Sequence, residues 1–212
     1  MGGRAFKDLD CPRMAPDVYI KVKSQVTIAL RTIFTHVVVP TEMPEKTDYG
    51  DVDFLVAPSS GTIINKFDWK GTVDAIKNVL KTAHGRHGFL TPDCMYFAIA
   101  APGNDEKYWI QIDVKVCFKP ELFTWYTFEY NYASNSRIIG SMIKPLGFTI
   151  DLDGLHVRVE ELETSNFPDS LIWVSKDPKD VLRMLGLDSR FITAGFTTKA
   201  ESRLQTESIE LR

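Results

Sequence analysis

Apolar residues recur at three- and four-residue spacing through Val18, Val22, Val26, Leu30, Ile33 and Phe34, with Lys21, Lys23 and Arg31 set between them. That periodicity predicts an amphipathic helix over 16–35. Pro16 suits its first turn, having no N–H to lose there, and Asp17 suits the positive end of the helix dipole. The β-branched run Val37-Val38-Val39 predicts a short strand, and the Pro- and charge-rich stretch 40–50 predicts a loop. At 51–57 the period changes to two. Val52, Phe54 and Val56 face one way, and Asp51 and Asp53 the other.

A polar linker at 58–61 leads to a second helix over 71–83, with Val73, Ile76, Val79 and Leu80 on one side and Gly85 beyond its end. The continuous apolar run 95–101 predicts an interior strand. Residues 107–117 alternate: Tyr108, Ile110, Ile112, Val114 and Val116 on one face, Trp109, Gln111, Asp113 and Lys115 on the other. Gly103-Asn104 followed by Asp105-Glu106 predicts a hairpin connection between these two strands. Past residue 120 the character changes. Two helical patterns at 120–130 and 134–144 precede a hairpin over 148–159 turning at Asp153-Gly154, a short strand at 171–174, and a helix at 178–185 closed by Gly186. The polar, helical tail from 199 reads as a cut end. The pattern therefore predicts an α+β protein with a mixed β-sheet and flanking helices over 1–119 and a mostly helical region over 120–212.

Composition narrows the class. The 212 residues carry 25 Lys+Arg against 28 Asp+Glu, a formal charge of −3, with 44% hydrophobic residues, which excludes a disordered or fibrous chain. The slight acidic excess argues against coating nucleic acid through bulk charge, so any phosphate-binding site must be local. Cys11, Cys94 and Cys117 are too few and too scattered for a disulfide framework or a metal knuckle, which fits a reducing compartment. No apolar run approaches the roughly 18 residues that span a bilayer, and the N-terminus lacks a secretory or myristoylation pattern. The expectation is a cytoplasmic or nuclear protein with no membrane partner.

The chemistry concentrates in Gly50-Asp51-Val52-Asp53-Phe54-Leu55-Val56. Carboxylates at i and i+2 on a strand point the same way and lie within reach of one cation. Two like charges held together are costly unless a cation or hydrogen bonds compensate, and hard oxygen ligands suit Mg²⁺ or Mn²⁺. Taken alone, an Asp-x-Asp of this kind reads more readily as a turn residue followed by a solvent-facing acid. Asp113 adds weight to the metal reading, because it is the one carboxylate in strand 107–117. If that strand lies beside the Asp51/Asp53 strand, the three acids converge on a geometry suited to two divalent cations.

These residues resemble the nucleotidyltransferase superfamily typified by DNA polymerase beta, with its G-D-x-D-hydrophobic strand and a separate third aspartate, here in Trp109-Ile-Gln-Ile-Asp-Val-Lys115. More narrowly, Gly2-Gly3-Arg4-Ala5-Phe6, Pro44-Glu45-Lys46 and Asp177-Pro178 through Leu185-Gly-Leu-Asp188 look like nucleotidyltransferase-like proteins of fungi, with a more distant similarity to phage members. The resemblance spans nearly the whole chain. It implies a nucleotidyltransferase-type mixed sheet, two Mg²⁺ ions, a nucleoside triphosphate, and transfer of a nucleotidyl group to a hydroxyl on a small molecule, protein or nucleic-acid end. Asp51 and Asp53 would bind both ions, and Asp113 would bind the catalytic one and help deprotonate the hydroxyl.

The chain departs from the family pattern at one place. A Gly-Ser turn usually precedes the Asp-x-Asp strand, since Gly lets backbone N–H groups approach the phosphates. Here that region reads Pro40-Thr41-Glu42. Thr41 retains a hydroxyl and Lys46 can offset Glu42, which makes both candidate substrate-binding residues. Lys115, on the face of Asp113, is a phosphate contact or an ion-pair partner; Arg137 is a phosphate contact or part of a solvated helical face. The altered turn also supports an alternative, a catalytically inactive binding or assembly module that keeps the fold.

Overall fold

A computed structural model describes residues 5–58, 66–103, 108–164, 167–189, 192 and 195–201, the side chains of 133–138 excepted. The chain divides into two compact units, one formed by 1–39 and 46–120, the other by 40–45 and 121–212. Both units mix helix and strand, so the protein is α+β.

The first unit is built on a five-stranded mixed sheet. Its strands are β1 (His36–Val38), β2 (Asp51–Ala57), β3 (His84–His87), β4 (Cys94–Ala100) and β5 (Trp109–Val116), in spatial order β1-β2-β5-β4-β3. β2 and β5 run parallel, and every other neighbouring pair is antiparallel. As expected from its apolar run, β4 is interior. The residues 104–107 that would close the β4–β5 hairpin, like the 59–61 part of the linker, lie outside the described residues.

Helix α1 (Pro16–Leu30) buries Tyr19, Val22, Val26 and Leu30, the three- and four-residue stripe read from the sequence. It stops short of residue 35. The chain turns through Arg31–Ile33 on bonds to Thr27, Ala29 and Leu30 before entering β1. Helix α2 (Trp69–Leu80) starts at Asp68, whose side chain accepts from Gly71 N–H at 2.8 Å, and ends at Lys81 in the left-handed conformation (φ 53°). Gly85 is therefore no helix terminator. It lies within β3, a strand that the hydrophobic pattern missed.

The α1 stripe joins Val73 and Ile76 of α2, Val52, Phe54 and Val56 of β2, Met95 and Phe97 of β4, and Ile110, Ile112, Val114 and Val116 of β5 in one buried cluster. Burial of such side chains contributes about 1.5–3 kcal/mol each. Truncating Ile112 to Ala at the middle of this cluster would cost about 2–5 kcal/mol. The cluster fixes the sheet's apolar face, and by strand alternation it fixes which residues stand on the opposite face.

In the second unit, α3 (Phe123–Ile143) joins the two helical patterns into one helix. The break expected between them survives as a local irregularity. Tyr132 has a positive φ of 55°, and its N–H bonds Thr41 C=O at 2.7 Å. Strands β6 (Phe148–Asp151), β7 (Gly154–Arg158) and β8 (Leu171–Ser175) form an antiparallel meander, completed by short helices α4 (Glu160–Glu163) and α5 (Pro178–Met184). Trp125, Phe128, Ile139, Ile143, Leu155, Val181, Leu182 and Leu187 make its core, and Trp125 Nε1 donates to Asp151 C=O at 2.9 Å. Among the described residues no helix is long and apolar enough to cross a membrane.

Candidate active site

The parallel pairing of β2 with β5 sets Asp53 directly opposite Asp113 and Asp51 directly opposite Gln111. Neighbouring strands lie about 4.8 Å apart, and residues two apart share a face, so Asp51, Asp53 and Asp113 stand together on the polar face of the sheet. Val52 and Phe54 anchor β2 from beneath, and Ile112 and Val114 anchor β5, all fully buried. The acids are thus held by strands whose other faces are fixed by the core.

The same row continues beyond Asp113. Tyr96 of β4 is its partner on the far side, and Arg86 of β3 is the partner of Tyr96. Arg86 lies over the Tyr96 ring at 5.0 Å, and the Tyr96 hydroxyl is 2.6 Å from Thr91 Oγ1. Charge therefore runs across the face from two acids through a phenol to a guanidinium.

Asp113 carries the electrostatic cost of this arrangement. Burial first, then the charge of Asp53 and more weakly that of Asp51, push its carboxyl up to about 7; the hydrogen bond from Gln111 and the charge of Arg86 act in the opposite direction. Gln111, itself only 4% exposed, donates from Nε2 to Asp113 Oδ1 at 2.7 Å, while its Oε1 accepts from the Ala5 N–H at 2.7 Å. The Ala5 carbonyl accepts from Arg86 Nη2 at 3.1 Å, and the Phe6 ring lies edge-on to His84. Sequence reasoning placed Gln111 and Trp109 on this face but gave Gln111 no role, and it did not place Arg86 or Tyr96 there. A polar residue two positions from an acid on an alternating strand was the available signal.

The remaining candidates fall in several places. Lys115 shares the Asp113 face as expected, and its amine makes an ion pair with Asp93 at 2.8 Å. Lys46 belongs to the first unit and lies over the Tyr49 ring at 4.7 Å. Thr41 belongs to the second unit, where its N–H donates to Asn131 Oδ1 at 2.8 Å and its C=O accepts from Tyr132. The Arg137 side chain lies outside the described residues. On β7, His156 is buried with Nδ1 3.5 Å from Asp151 Oδ2, and Arg158 pairs with Glu163 at 2.6 Å.

Among the described residues no group of three or more His, Cys, Asp or Glu side chains is arranged to hold a metal ion. The donor chemistry still fits a hard cation. Mg²⁺ is commonly held by one or two carboxylates, with water and substrate phosphate oxygens completing its octahedron, rather than by a closed protein cage. Two carboxylates in register on adjacent strands, with a third two residues along, supply that partial set. No protein-family model matches this chain, and no curated protein matches it.

Proposed function

We propose that the protein is a Mg²⁺-dependent nucleotidyltransferase of the DNA polymerase beta-like type, which moves a nucleotidyl group from a nucleoside triphosphate to a hydroxyl acceptor. The observation that carries this reading is the register that puts Asp53 opposite Asp113, with Asp51 on the same face. The five-stranded mixed sheet with helices on its apolar face supports it.

Asp51 and Asp53 would hold the two cations, and Asp113 would share the one nearer the acceptor. When bound, Mg²⁺ or Mn²⁺ supplies charge neutralisation for the triphosphate and the departing pyrophosphate. Asp113 takes the proton as the acceptor oxygen forms its bond to the α-phosphorus and the bond to the β-phosphate bridging oxygen breaks. In the absence of a cation, burial and its acidic neighbours raise the proton affinity of Asp113; a bound cation would act in the opposite direction.

One observation favours the alternative, an inactive module that keeps the fold. In place of a Gly-Ser turn, Thr41 has both main-chain groups engaged within its own unit, so its N–H is not offered to a phosphate. The test is to incubate the protein with each labelled triphosphate, Mg²⁺ or Mn²⁺, and a pool of small-molecule, protein and nucleic-acid acceptors, beside an Asp51→Ala/Asp53→Ala variant. Label transfer or pyrophosphate release that the double variant lacks supports the enzyme. Nucleotide binding without turnover, equal in both proteins, supports the module instead.

A further inference from the structure

Gln111 is an unusual residue for its position. It is nearly fully buried on the polar face of β5, two residues from Asp113 and opposite Asp51, and both ends of its amide are used. The direction of those bonds follows from chemistry. The Ala5 main-chain N–H can only donate, so the oxygen of the amide must face it, and the NH₂ must then face the carboxylate. One rotamer of Gln111 satisfies both contacts. The Ala5 residue that sets it is held in turn by Arg86, which donates to the Ala5 carbonyl. A second main-chain bond, from Trp109 N–H to Asp10 C=O at 2.8 Å, ties the same N-terminal segment to the start of β5.

Resting on the nucleotidyltransferase reading, we propose that Gln111 is a positioning residue for the candidate metal centre: anchored by the Ala5 main chain, it holds Asp113 Oδ1 and so leaves the second oxygen of that carboxylate for the cation shared with Asp53. A carboxylate free to rotate about its χ angles would swing away from its like-charged neighbour, and ordering it would oppose cation binding. A neutral donor on one oxygen fixes the group without competing for the cation, as a Lys or Arg would. The N-terminal segment is then part of the site although it contributes no ligand. Partners of this kind are typically worth about 10- to 100-fold in metal affinity.

Two measurements on the 212-residue chain test this, one of them without metal. Side-chain amide exchange of Gln111, followed by ¹⁵N NMR, should be slowed well below that of Gln25, which is exposed on α1, and the slowing should be lost in Asp113→Ala. Mn²⁺ affinity, read from the free-ion EPR signal, should fall about 10- to 100-fold in Gln111→Leu, with thermal melting used to confirm that the variant is folded. Ala5→Pro, which removes the anchoring N–H and fixes φ at that position, should weaken Mn²⁺ in the same direction. Gln111 exchange as fast as that of Gln25 overturns the proposal whatever the metal does, and so does wild-type Mn²⁺ affinity in a folded Gln111→Leu. If the wild-type protein binds no Mn²⁺ at Asp53 and Asp113, the nucleotidyltransferase reading itself fails and takes the positioning role with it. If Mn²⁺ binds through those acids but Gln111 is unprotected, only the positioning role fails.

Discussion

Asp53 and Asp113 are direct partners across the parallel β2–β5 pair, and the carboxyl of Asp113 is pushed up to about 7 by burial and by that neighbour. The unfolded chain loses this proton near pH 4, whereas the folded protein keeps it until about pH 7. Between those values the native state binds more protons than the unfolded state, so stability falls as pH rises, and above pH 7 the whole cost is present. At about 1.4 kcal/mol per pH unit, that cost is on the order of 4 kcal/mol. Asp113→Asn, which cannot ionise but still accepts from Gln111, should therefore be more stable than wild type at pH 8, with about a quarter of that difference left at pH 4.5. Urea midpoints of the two proteins at both pH values provide the check, and an unchanged difference would show that Asp113 ionises without penalty.

Divalent cation should remove the same penalty by supplying the missing positive charge. Ligand bound only to the folded state stabilises by about 2.7 kcal/mol at a hundredfold excess over its Kd. Mg²⁺ or Mn²⁺ is thus expected to raise the wild-type melting temperature at pH 8, and to leave Asp53→Asn and Asp113→Asn almost unmoved. Calorimetric scans with and without the cation measure this. Equal shifts in all three proteins would place the bound ion elsewhere.

Cys94 stands opposite Lys115 in the β4–β5 register, on the face that carries Asp113. Burial, and then the charge of Asp93, push its thiol up to about 12, against the opposing charge of Lys115. Since the thiolate is the reactive form, the fraction present at pH 8 is on the order of one in ten thousand. Cys94 should stay unmodified by iodoacetamide at pH 8 in the folded protein and react fully in urea. Peptide mapping by mass spectrometry reads this directly, and rapid native labelling of Cys94 would mean that β4 opens readily.

The acids were legible in the sequence because each interrupts an otherwise apolar or alternating strand: Asp51 and Asp53 at period two beside Val52 and Phe54, and Asp113 between Ile112 and Val114. Their adjacency was not legible, because β2 and β5 are parallel neighbours separated in sequence by two other strands and a helix. No local pattern specifies such a pairing; it follows from the helices covering one face of the sheet. Gln111 was invisible as a participant for a similar reason. Its anchoring partner, Ala5, lies 106 residues away, and a neutral amide on a polar strand face looks like any solvent contact. β3 escaped because His84-Gly85-Arg86-His87 shows no hydrophobic alternation, its place in the sheet being set by pairing with the apolar β4. Tyr132 shows the converse: the two helical patterns read as separate form one continuous helix, in which a single left-handed residue lies between them.

Gly85 explains how so polar a strand fits against the core. A Cβ built there would lie 2.6 Å from Phe97 Cδ1 and 2.8 Å from Lys77 Cγ. Lys77 is long and can swing aside, but Phe97 is fully buried between β3, β5 and the core cluster and has nowhere to move. Gly85→Ala should therefore destabilise the protein by about 1–3 kcal/mol through overpacking, despite the lower entropy cost that Ala normally brings to a strand. A companion Phe97→Leu substitution opens space where the new methyl must go. In Gly85→Ala/Phe97→Leu the two losses should be less than additive, with a coupling of about 0.5–3 kcal/mol. Denaturant midpoints of the four proteins in the cycle measure that coupling. Strict additivity would mean that the strand shifts away from α2 instead of pressing on Phe97, and that Gly85 is required by the backbone and not by the close approach of the helix.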